Sequence, residues 1–164
     1  MSSNPYIPPQ ANLDVEAKGD PSAPIWNPVA AAAWSLLFSP VFGALVQMKN
    51  WQALGKPDEA ALAMRWAIAN GVILVVLIVL TISMPESTLM GVLGNFGGFI
   101  LLLTWYFANG RQQIDFVSFS YGKTYERRGW GIALLCGVGG YLVVIVIGII
   151  VGIIMAVMTG ALEG

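Results

Sequence analysis

The chain has 164 residues, of which 57% are hydrophobic and 10% charged, with a mean hydropathy of +0.73 and a formal net charge of −1. A water-soluble domain carries about 25% charged residues, so the composition indicates an integral membrane protein. Eight Lys and Arg in all cannot build the basic face that phosphate requires, which argues against a nucleic-acid partner.

Residues 1–28 hold Pro5, Pro8, Pro9, Pro21, Pro24 and Pro28 with the acids Asp14, Glu16 and Asp20. Proline rigidity and low hydrophobicity predict a disordered or extended tail. No basic start followed by an apolar core is present, so no cleavable signal peptide is expected. Four apolar segments follow, at residues 29–48, 67–84, 89–108 and 132–158, with a short C-terminal tail at 159–164. At about 1.5 Å per residue, the first is long enough to cross a hydrocarbon core of about 30 Å. Unbroken runs of this length read as helices, because an isolated strand could not satisfy its backbone in lipid. The expected fold is therefore an all-α, four-helix transmembrane bundle. Lys56-Pro57-Asp58-Glu59 predicts a helix start that runs through Trp66 into the second segment, since proline and acids suit a first turn. Pro85-Glu-Ser-Thr88 leaves room only for a tight hairpin, with Ser87 or Thr88 as the cap of the next helix.

Charge placement then sets topology. Lys49, Lys56 and Arg65 lie between segments one and two, and Arg111, Lys123, Arg127 and Arg128 between three and four; Lys18 alone lies elsewhere. Cytoplasmic loops are enriched in Lys and Arg, so both basic connections belong in the cytoplasm. If all four segments span, both termini lie outside it. A competing topology follows from Ser39-Pro40 in mid-segment, where proline removes an intrahelical hydrogen bond. A broken, re-entrant first segment would put the N-terminal tail inside as well, and charge counting favours it. Segment length favours the full span, which is the expectation adopted. Both topologies place the C-terminus outside the cytoplasm.

The second basic connection ends in YGKTYERRGW, residues 121–130. Its aromatics fit the headgroup zone and its cations can meet anionic lipid. Arg111, Lys123, Arg127, Arg128 and Trp130 thus form an interfacial anchor, with docking of a cytoplasmic partner as the sharper alternative. Trp26, Trp34, Trp51, Trp66 and Trp105 lie near segment ends and read as belt residues.

None of the four segments contains Asp, Glu, Lys, Arg or His, whereas chemistry inside a membrane usually needs an ionisable group facing a cavity. No histidine exists to activate a serine, and the single Cys136 reads as a small packing residue. No catalytic, cofactor-binding or metal-binding residue is expected, and no disulfide within the chain is possible. Asn70 and Asn95 read as interhelical hydrogen-bond partners. Gly94 with Gly98, and Gly148 with Gly152, have the spacing that lets helix backbones approach closely in lipid. They predict either packing inside the bundle or a face for another membrane helix, from a second copy or a foreign protein.

NPYIPPQA at residues 4–11, WNPVAAAAWSLLFSPVFGALVQMKNWQALG at 26–55, and WYFANGRQQ with YGKTYERRGW resemble small, sparsely described bacterial inner-membrane proteins. These share an NPYxPP start, an SP-FGA segment and an NW-x-x-LG connection. The general appearance is also similar to immunity proteins paired with membrane-acting effectors of type VI secretion systems. That resemblance implies a non-catalytic binder of a membrane-inserting toxin and supplies no catalytic residue. Two other classes stay open: a channel or transporter subunit with Asn70, Asn95 and the Pro40 break along its path, and a scaffold recruited through residues 111–130.

Overall fold

The computed structural model describes residues 24–160. The tail expected to be disordered lies outside the described residues up to position 23, as do residues 161–164. Residues 25–28, assigned to that tail, are in contrast held in place. The backbone N–H of Ile25 donates to the Glu126 carbonyl (3.2 Å) and its carbonyl accepts from the Arg128 N–H (2.8 Å).

The described chain is helical. It comprises α1 (Pro28–Phe38), α2 (Pro40–Ala53), α3 (Pro57–Ser83), α4 (Thr88–Trp105), a π turn (Tyr106–Gly110), α5 (Arg111–Tyr121) and α6 (Gly131–Met158). The first three helices each begin on a proline, where the missing N–H would have had no intrahelical partner anyway. Asn27 caps α1, Ser39 caps α2 and Ser87 caps α4, each accepting a bond from a backbone N–H one or two residues inside the helix. Pro57 with Asp58 and Glu59 opens α3, and Ser87 closes the hairpin to α4, both as the sequence predicts.

Residues 29–48 do not form the single long helix expected. They fall in two helices that meet at Ser39, whose φ of 142° lies in the region glycine favours. Pro40 causes the break, because its ring disfavours helical geometry at the preceding residue. The chain then doubles back. Trp26 pairs with Asn50, and Ser35 lies against Gly43, so α1 and α2 run antiparallel as a short helical hairpin. Among the described residues, three stretches are long and apolar enough to cross a membrane: α3, the continuous helix from Thr88 to Tyr121, and α6.

Contacts fix which ends lie together. Ile25, Trp51, Leu54, Ala60, Ala63, Val117 and Tyr121 form one buried cluster, so the start of α1, the end of α2, the start of α3 and the end of α5 share one end of the molecule. The Ser83 hydroxyl meets the Met155 sulfur at 3.9 Å, placing the ends of α3 and α6 at the other. The residues flanking both basic connections therefore meet at one end, together with the residues that lead into α1. Residues 111–121, expected within a connection, are instead a continuation of α4. The resulting 34-residue helix is about 51 Å long and overshoots a hydrocarbon core by about 20 Å. The overshoot, α5, packs through Val117 and Tyr121 into the basic-end cluster.

Candidate functional site

The helical hairpin is locked by a cluster of buried amides. Gln47 and Asn50 lie three residues apart on α2, while Asn109 in the π turn and Gln113 on α5 lie four apart. All four are at most 3% exposed. Gln47 donates to the Asn109 carbonyl (2.9 Å) and its own amide oxygen accepts from Asn109 Nδ2 (2.8 Å). Gln113 donates to the Gln47 carbonyl (2.9 Å) and accepts from Asn50 Nδ2 (3.0 Å). Asn50 also donates to the Trp26 carbonyl and accepts from the Trp26 N–H, both at 2.9 Å. Every amide thus has partners, the condition under which a buried polar network specifies one arrangement instead of destabilising it. The π turn has a place in this arrangement. By widening the helix at Tyr106–Gly110 it brings Asn109 and Gln113 onto the side that faces α2.

Below the amides the hairpin is packed with little clearance. A Cβ on Gly43 would collide with the Trp105 ring and the Ser35 hydroxyl. At the tip, Phe38 fits over Gly137 of α6, whose added Cβ would lie 2.9 Å from the ring. Trp26, Ala31, Phe42, Val46 and Ala133 then close the α1–α2–α6 contact. Three of the tryptophans read as belt residues are interior instead: Trp26, Trp51 and Trp105 are buried. Trp105 packs with Ala44, Ala67 and Leu102.

Beside the hairpin, α2, α3 and α6 enclose an open groove of about 600 Å³. Its walls include Leu45, Leu74, Val75, Ile132 and Val144, and Cys136, Gly137 and Gly140 line its α6 side. Lys49 and Arg128 stand at the basic end, where the Arg128 guanidinium lies 4.3 Å from the centre of the Trp26 ring. A smaller cavity of about 240 Å³ lies at the hairpin tip, by Ser35, Ser39, Leu74 and Gly98.

The candidate glycines separate into two groups. Gly94 packs internally, since a Cβ there would meet Thr81 of α3 at 2.9 Å. Gly98, Gly148 and Gly152 have nothing within 4 Å of an added Cβ. The basic residues between 111 and 130 make different contacts. Arg111 pairs with Asp115 on α5 at 3.3 Å, Arg127 lies by the Tyr125 ring, and Arg128 is over Trp26. Lys123 is exposed, and Trp130 packs against Trp34 with ring centres 6.5 Å apart. Asn70 and Asn95, expected to bond between helices, donate within their own helices to Trp66 and Gly91.

The sequence reading missed Asn50, Asn109 and Gln113 as a unit. Their signal was available: two pairs of amides at helical spacing, each at the end of an apolar segment. Among the described residues no three His, Cys, Asp or Glu side chains converge as metal ligands would. No protein-family model, curated protein or solved structure matches this chain.

Proposed function

We propose that this chain is a non-catalytic integral protein of a bacterial inner membrane that acts by binding another membrane protein through a helix face. Its most concrete form is an immunity protein that neutralises a membrane-inserting secreted toxin. In this reading α3, the α4–α5 helix and α6 cross the bilayer, and the α1–α2 hairpin re-enters from the cytoplasmic side. The cationic end lies in the cytoplasm and the C-terminus in the periplasm, a placement supported by the enrichment of Lys and Arg in cytoplasmic loops.

The observation that carries the reading is the state of α6. It is apolar from Gly131 to Met158, none of its most apolar 18-residue window is buried, and Gly148 and Gly152 face nothing within 4 Å. A small-residue stripe of this spacing allows a second helix to approach at backbone distance in lipid. The reading is tested by sequencing the genes that flank this one and scoring survival on co-expression of the chain with any membrane-inserting secreted effector found there. Protection is expected from the native chain and is lost in Gly148→Leu/Gly152→Leu, which still inserts. Undiminished protection by that variant, or no protection by the native chain, contradicts it.

A scaffold recruited at the cytoplasmic end is the second reading, and Phe119 favours it. This side chain is 94% exposed on α5, an apolar group set outside the spanning segments. Phe119→Ser should then abolish capture of a cytoplasmic partner without altering insertion.

A further inference from the structure

A groove open to lipid is filled by lipid, and its shape and charge decide which kind. The groove between α2, α3 and α6 is apolar along its length, and its volume of about 600 Å³ falls within the range of small-molecule sites, about 300–1,000 Å³. From Ile132 to Ile147 it follows α6 for about 22 Å, longer than one leaflet's share of the hydrocarbon core, about 15 Å. Gly140 on its α6 side has no atom within 4 Å of an added Cβ, so space remains there for a chain of methylenes.

The basic end carries the selectivity. Lys49 and Arg128 line the groove, and neither makes an ion pair among the described residues. Arg128 is steadied over the Trp26 ring, a cation–π contact that leaves its N–H donors free to point outward. The Trp26 indole N–H is itself committed to the Gly129 carbonyl at 2.9 Å, which holds that ring in place. Two cations at the polar end of one apolar groove complement a phosphodiester with its acyl chain below.

We infer that this groove is a binding site for one anionic phospholipid, its phosphate held by Lys49 and Arg128 and an acyl chain lying along α6 past Cys136 and Gly140. The inference rests on the membrane location proposed above and is independent of any toxin partner. A protein absent from the membrane fraction would show the location itself to be wrong.

Native mass spectrometry of the full chain, released from nanodiscs of equimolar phosphatidylglycerol and phosphatidylethanolamine, tests it. One phosphatidylglycerol per chain is expected to be retained in preference to phosphatidylethanolamine. Lys49→Gln/Arg128→Gln should lower that preference about 30-fold, from roughly 5-fold per cation near the bilayer surface. Lys123→Gln/Arg127→Gln removes equal charge from the neighbouring loop, outside the groove lining, and should lower the preference clearly less than the Lys49 and Arg128 pair does. If the double variant fails to insert, each single variant should still show its own fall of about 5-fold. Equal retention of both lipids by the native chain overturns the site, as does an unaltered preference in the Lys49 and Arg128 variants. A disulfide dimer through Cys136 on oxidation with copper phenanthroline in membranes also overturns it, because a second copy would then occupy the groove.

Discussion

At the scale of single residues, stability depends on a few amides and glycines. Asn50 holds both backbone groups of Trp26 and the side-chain amide oxygen of Gln113. Replacing it with Leu strands these groups in the interior, at about 1–3 kcal/mol for each buried group left unpaired. Asn50→Leu should therefore lower the thermal midpoint in detergent strongly. Asn95→Leu, which loses only a bond to the preceding turn on an exposed surface, should change stability by less than about 0.5 kcal/mol. Glycines divide in the same way. Gly43→Ala drives a methyl into Trp105 and Ser35 and should cost about 1–3 kcal/mol as overpacking. Gly91→Ala meets nothing within 4 Å and should stabilise α4 by about 0.5–1 kcal/mol. These roles were only partly legible. Spacing alone marks Gly94 and Gly148 alike, and only the position of Thr81 shows that the first is already occupied.

At the scale of elements, proline placement governs the fold. Asn27-Pro28, Ser39-Pro40 and Lys56-Pro57 each start a helix, and the second of these divides an apolar run that length alone would make a span. Ser39 holds a φ of 142°, a conformation costing about 1–3 kcal/mol outside glycine, and its hydroxyl caps α2 at the same time. Ser39→Gly relieves the backbone and loses only a weak cap, so it should raise the thermal midpoint in detergent. Ser39→Ala keeps the strain, loses the cap and should lower it. The three long helices were legible because unbroken hydrophobicity dominates over 18 residues or more. The hairpin was not, because the choice between a kinked span and a reversal depends on partners distant in sequence. Trp26 meets Asn50 across 24 residues, and Gln47 meets Asn109 across 62. The continuation of α4 into α5 was hidden for a similar reason: the charged and amide residues Arg111, Gln112, Gln113 and Asp115 read as the start of a connection until Val117 and Tyr121 find the end of α2.

At the scale of the whole molecule, the body is polarised. One end gathers the residues leading into α1 and the flanks of both basic connections over a buried cluster, and the other carries the short turn at Met84–Ser87 and the end of α6. Charge counting over the sequence already favoured a broken first segment, and the antiparallel α1–α2 pair is the geometry that such a topology requires. If the hairpin re-enters as proposed, the residues before α1 lie on the same side of the bilayer as the turn between α2 and α3. Labelling of single cysteines with a membrane-impermeant maleimide, on a Cys136→Ala background in inverted vesicles, tests it most directly. Pro24→Cys and Gln52→Cys should react together from the cytoplasmic face while Glu86→Cys stays protected. Labelling of Pro24→Cys only from the face that exposes Glu86→Cys would show that residues 29–48 cross the membrane and that the hairpin does not re-enter.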